Sequence, residues 1–227
     1  MRDRDIDEFL NRGAGQPSEV DPELLDRISA SVRSGLRPVR PLPSPAILVA
    51  GLVSICAAIA VAGGLALGPH GIQRMSALQI AIVFPVLAAF IFLSAALAVA
   101  EVIPGNRRPV SPWLLSVAGC IALALVFALL FSDPGTSHFV SKGLICLRAG
   151  LIFALPTGVA GGWLLRRGFA VNPPAAWFAA GTLAGLAGVT MLELHCANFE
   201  APHLIMWHIA VIPVSALIGF LAARTRR

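Results

Sequence analysis

Between two membrane-length apolar segments lies the stretch LHCANFEAPHLIMWH, residues 194–208, which carries Cys196 and three of the chain's five histidines, His195, His203 and His208. Thiol and imidazole together are the side chains that bind soft and borderline metal ions, and the thiol is also the group that oxidises reversibly. A second cysteine belongs with them by depth. Reflecting the chain about residue 171, the centre of the hairpin between the fourth and fifth apolar runs, brings Cys146 level with Cys196 and Arg148 nearly level with Glu193. An ionisable residue inside a membrane span usually faces a partner or a polar cavity, so an Arg148–Glu193 ion pair is expected; the competing reading is that both side chains snorkel to the headgroups. Two chemistries could use the cysteines. One is a Cys146–Cys196 disulfide in an oxidising compartment, and the other is a thiolate and imidazole site for zinc, copper(I) or cadmium. Spacing does not choose between them: there is no CxxC and no HExxH, and His195 and Cys196 point about 100° apart if both are helical. Cys56 and Cys120 fall near mid-bilayer, where a cysteine ordinarily serves as a small buried hydrophobe.

The elements that must position these groups follow from composition. The 227-residue chain is 57% apolar, lacks Tyr and has only 13% charged residues, many of them in the first forty positions. A hydrocarbon core of about 30 Å needs roughly 20 apolar residues of helix. Six runs suffice: Ala46–Leu67, Ala77–Ala100, Pro112–Phe131, Leu144–Leu165, Pro174–Glu193 and His203–Ala223. Continuous runs of this length exclude the period-two alternation of a membrane barrel. The expected fold is all-α, a polytopic bundle of six transmembrane helices (46–227) behind a polar segment (1–45). That polar start holds no apolar h-region, so no cleaved secretory signal is expected.

Lys and Arg give the orientation. Arg33, Arg37, Arg40, Arg107, Arg108, Arg166, Arg167, Arg224, Arg226 and Arg227 fall on one side; Arg74 and Lys142, with Arg148 just inside a helix, fall on the other. Both termini are therefore expected in the cytoplasm and all five histidines outside. Topology accounts for the basic balance, so no direct nucleic-acid partner is required. Trp113, Trp163 and Trp177 fall at the inner interface and Trp207 near the outer one. Pro85, Pro156 and Pro213 sit inside spans and predict kinks. Gly158-xxx-Gly162 and Gly181-xxx-Gly185 predict close approach of the fourth and fifth helices, and such faces could equally serve between two copies of the chain.

In the polar segment, Asp21-Pro22 reads as an N-cap followed by a first-turn proline. Leu24, Leu25, Ile28 and Val32 then recur at helical spacing. A helix of about a dozen residues is marginal alone, so this one must lie against a partner protein, the bilayer headgroups or the protein's own inner loops. The proline-rich run Arg37–Pro45 reads as an extended spacer.

The six-span layout, the cysteine at the outer end of the fourth helix, GTLAGLAGVTMLELHC ending in His195-Cys196, Pro202, Trp207 and the RRG at 166–168 resemble the NrsF family of bacterial membrane anti-sigma factors. The resemblance covers roughly residues 45–227 and is most specific from 144 onward. Ala197 departs from the proline that often follows the second cysteine in that family. The resemblance implies a multi-pass protein of the bacterial inner membrane that holds an extracytoplasmic-function sigma factor, and the expectation drawn from it is a signal switch without enzymatic activity. It also implies that metal or oxidative stress is sensed at Cys146 and Cys196; the residue types themselves add His195, His203 and His208 nearby and would suit zinc or another soft ion. Partner contact would fall on Leu24, Leu25, Ile28 and Val32 and on the basic inner loops with Arg107, Arg108, Arg166 and Arg167. A reading from another class is a small transporter or metal-handling protein using Arg148, Glu193 and His208. A thiol oxidoreductase is disfavoured because such enzymes relay electrons between two dithiols.

Overall fold

The computed structural model describes residues 21–35, 42–103, 110–132, 138–168, 170 and 172–225, and the chain divides into two compact units, Met1–Pro41 and Leu42–Arg227. In the first unit, Asp21 Oδ1 accepts from the Glu23 amide at 3.0 Å and opens helix α1 (Pro22–Gly35) as the Asp-Pro pair predicts. Leu24, Leu25, Ile28 and Val32 form an apolar stripe on α1 and are 47–55% exposed.

Among the described residues the second unit is built of helices without strands: α2 (Pro45–Leu67), α3 (His70–Arg74), α4 (Ala77–Ala100), α5 (Pro112–Leu130), α6 (Phe139–Arg167), α7 (Pro173–His195) and α8 (Ala201–Arg224). All but the short α3 are long and apolar enough to cross a bilayer, which makes this an all-helical membrane protein with six candidate spans. The span ends match the apolar runs to within a few residues except in α6, which begins five residues before Leu144. Ser141 and Lys142 end the apolar run but are compatible with helix, which reaches back to Phe139 and stops at the N-cap His138, whose backbone is left-handed. Hydropathy marks where the hydrocarbon ends, and capping marks where the helix ends.

The six spans are not equivalent. In α7, 89% of the apolar window is buried inside the protein, against 22–39% in the other five. Helix α7 is the hub: α2, α3, α4, α5, α6 and α8 all pack on it. Its sequence explains how, because alanines, glycines and threonines leave no bulk to hold neighbours away. Thr182 and Thr190 donate back to the carbonyls of Phe178 and Leu186, so both hydroxyls are satisfied within the helix.

The glycines correct one expectation. Gly181 and Gly185 do not face α6. A Cβ at Gly181 would lie 2.8 Å from the Ala216 Cα, and one at Gly185 would lie 2.6 Å from the Ile212 Cα, both on the backbone of α8. On α6, Gly158 and Gly162 meet side chains of α7, Ala184 and Trp177, while the tight backbone contact of that pair is Gly188 against the Gly150 carbonyl. A helix enclosed on all sides needs small residues toward more than one neighbour, and sequence adjacency of the hairpin does not reveal which face is which.

The prolines also behave unequally. Helices α4 and α6 continue through Pro85 and Pro156. Around Pro213 the regular ladder is lost. Proline cannot donate to the Ile209 carbonyl, which instead accepts from the Ile212 amide at 2.9 Å, and the Ile209 amide reaches back five residues to the Leu204 carbonyl at 3.2 Å. The result is a π-turn at Leu204–His208. At the opposite end of the bundle, Trp113 lies against Phe178 and Phe220, Arg167 over Trp163, and Arg224 over Phe220, an aromatic and basic rim of the kind found at a membrane interface.

Candidate functional site

Helix α7 ends at His195, and Cys196 follows as its C-cap in extended backbone, with its amide held by the Leu192 carbonyl at 2.7 Å. Residues 196–200 are non-helical, and Asn198 Oδ1 accepts from the Glu200 amide at 3.1 Å to turn the chain into α8. Pro202 at the start of α8 suits a helix whose first amides have no internal partner. Two further contacts hold the segment down. Arg74 of α3 donates to the Ala197 carbonyl at 3.2 Å and lies over the Phe199 ring. Gly71 sits so close to the 193–196 backbone that a Cβ there would approach the Glu193 and Cys196 carbonyl oxygens to 2.5 and 2.7 Å.

This arrangement brings Cys146 of α6, Cys196, His203 and His208 together, with one potential ligand atom of each within 4.8 Å of all the others. The two Sγ atoms are 3.7 Å apart, and Cys196 Sγ is 3.8 Å from His203 Nε2. Cys196, His203 and His208 are buried and Cys146 is half-buried. The π-turn is what lets both histidines take part. In a regular helix, residues five apart point about 140° away from each other, whereas the i to i+5 pattern of a π-turn returns them to nearly the same face. Their ring centroids are 5.3 Å apart. The hydrogen bond with Cys146, and then burial, push the Cys196 thiol above its usual range, while His203 and His208 draw it down.

Glu193 has a different partner from the one expected. Its Oε1 lies 2.6 Å from His208 Nδ1, with both side chains buried. Arg148 is exposed on the outer surface of α6 and does not pair with Glu193, which leaves the snorkelling reading for the arginine alone. Rotation about the helix axes turns Glu193 inward and Arg148 outward. His195 is corrected in the same way. Its Nδ1 is 2.9 Å from the Gly68 carbonyl and its ring is near His70, outside the Cys/His cluster. Cys56 and Cys120 also lie outside it. Of the residues expected to contact a partner, Arg166 and Arg167 are exposed at the far end of α6, and Arg107 and Arg108 lie outside the described residues. Sequence reasoning missed Gly71, Arg74 and the pairing of Glu193 with His208. Their only trace in the chain is a short polar turn between two spans and a carboxylate one turn before the cysteine.

An all-helical membrane protein with a buried two-cysteine, two-histidine cluster at one end of its bundle is thus defined by fold and site together. The family model described as NrsF, negative regulator of sigma F, matches residues 33–226, and the chain belongs to that family. No curated protein and no solved structure matches the chain. The family makes the protein a negative regulator whose partner is a sigma factor.

Proposed function

We infer that the chain is an inner-membrane anti-sigma factor that holds an extracytoplasmic-function sigma factor at the cytoplasmic face and releases it when Cys146 and Cys196 react with metal or oxidant. The observation that carries the sensing part is the approach of those two sulfurs to 3.7 Å from residues fifty apart in the chain, with His203 and His208 beside them. The excess of arginine at the opposite end supports an orientation with both termini inside and the cluster outside. The stimulus would then act through the hub. Cys196 caps α7, His203 and His208 belong to α8, and α7 and α8 pack backbone to backbone at Gly181 and Gly185. A ligand shifts such an equilibrium only by its differential affinity for the two states, and about 1.4 kcal/mol of coupling gives a ten-fold release.

The exposed stripe of α1 is the best candidate for the partner-binding surface, as an amphipathic helix laid into a groove of the sigma factor. Affinity capture of the tagged, detergent-solubilised protein from its own cells, with mass spectrometry of the bound fraction, tests the whole reading. A sigma factor should co-purify and dissociate on oxidation or metal addition. Replacing both Leu25 and Ile28 by Asp should weaken its capture roughly thirty-fold, corresponding to about 2 kcal/mol at a central apolar contact. Recovery of intact, abundant protein without any sigma factor would refute the reading.

A further inference from the structure

We propose that Cys146, Cys196, His203 and His208 are the four ligands of a single tetrahedral zinc ion, oriented by Glu193. This deepens the reading of the cysteine pair as the sensing centre by giving that centre a resident ligand. Zinc bound at about 2.3 Å to sulfur and 2.0–2.1 Å to imidazole has tetrahedral ligand-to-ligand edges of about 3.3–3.8 Å. The Sγ–Sγ separation of 3.7 Å and the Sγ–Nε2 separation of 3.8 Å already have that size, and no pair in the set exceeds 4.8 Å. Contraction by about 1 Å closes the remaining edges.

The second observation is the state of His208. Glu193 occupies Nδ1, and the fully buried ring also interacts with the Cys196 thiol. A carboxylate on one imidazole nitrogen with a metal on the other is the usual arrangement around a ligating histidine, because it fixes the tautomer and raises the basicity of the ligand. Charge points the same way. Zinc binding displaces to water one proton from each thiol and any proton on the ligating imidazole nitrogens; two thiolates then neutralise the charge of the ion, and the Glu193 carboxylate is held by the remaining Nδ1–H of His208. Four protein ligands leave no open position, the pattern of a structural rather than a catalytic ion. The ion would tie α6 to the cap of α7 and the π-turn of α8. The same sulfurs cannot be zinc ligands and a disulfide at once, so oxidation, or displacement of the zinc by a softer added ion, would reach the bundle through one centre.

Full-length protein purified in detergent and stripped of metal tests this with two probes, Zn²⁺ in competition with a chromophoric chelator and Co²⁺ read by absorption. One equivalent of each should bind per chain. The cobalt form should show the intense visible bands of a tetrahedral site and a thiolate-to-cobalt charge-transfer band. That band should weaken in Cys146→Ser or Cys196→Ser and vanish in the double variant. His203→Ala and His208→Ala should keep the charge transfer and weaken binding. Glu193→Gln should lower zinc affinity about 10–100-fold with the tetrahedral spectrum retained. The wild-type spectrum decides the matter even if a variant fails to fold. An octahedral spectrum, no stoichiometric binding by monodisperse protein, or binding unaltered in the double cysteine variant would overturn the proposal. Zinc binding without sigma-factor capture would leave the site standing and remove the anti-sigma reading; capture without zinc binding would do the reverse.

Discussion

Serine at both Cys146 and Cys196 should abolish stress induction of a reporter for the cognate sigma factor, reducing the induced-to-basal ratio to about one. The substitution exchanges sulfur for oxygen at nearly constant shape, in a site where Cys146 is half-buried and Cys196 buried, so the bundle should still assemble. What disappears is the chemistry, since a serine hydroxyl neither oxidises to a cross-link nor binds a soft ion as a thiolate does. Each single variant should show the same loss, because a pair 3.7 Å apart works only as a pair. Immunoblotting of the membrane fraction checks that the protein is present. Unchanged basal repression and unchanged induction in the double variant would show that the cysteines are not the sensor.

The second large effect is expected from Gly185→Leu. A Cβ at Gly185 would fall 2.6 Å from the Ile212 Cα and 3.0 Å from the Val211 carbonyl oxygen. Both obstacles are backbone, so no side-chain rotation relieves them, and α8 must move away from α7. Overpacking of a close contact costs about 1–3 kcal/mol and sometimes more, and a whole leucine against backbone belongs at the upper end. The displacement would also carry His203 and His208 away from Cys196, because α8 starts only five residues after it. The variant should therefore lose monodispersity on size exclusion in detergent and melt well below the parent. Gly158→Ala, whose added Cβ would sit 3.7 Å from the Ala184 Cβ, is the matched control and should be nearly neutral. Equal behaviour of the two would show that α8 does not pack on Gly185 as described.

The glycine contrast illustrates why some of this architecture was legible in the chain and some was not. Apolar runs of about 20 residues admit one solution in hydrocarbon, since every backbone group must be satisfied within its own segment. The six spans therefore follow from composition alone. The N-terminal helix follows as directly from Asp21, Pro22 and the spacing of Leu24, Leu25, Ile28 and Val32. Depth was legible too. Counting residues from the α6–α7 hairpin put Cys146 level with Cys196, and they are in contact.

Rotation about the helix axes was not legible. A span that is apolar all round carries no amphipathic signal to say which face meets protein and which meets lipid. For this reason Arg148 and Glu193, matched in depth, point opposite ways, and Gly181 and Gly185 serve α8 rather than the neighbour across the hairpin. Local backbone chemistry decided the rest. Pro213 removes one amide, a π-turn opens at Leu204–His208, and two histidines that a regular helix would separate come to lie side by side. His195 leaves the cluster because α7 ends beneath it and Gly68 takes its ring nitrogen. By itself the sequence determined the class of protein, the number and depth of its helices and the kinds of side chain available for sensing. Only the tertiary structure decided which of them meet, because azimuth in a membrane bundle is set by the packing of small residues on α7, to which hydropathy is blind.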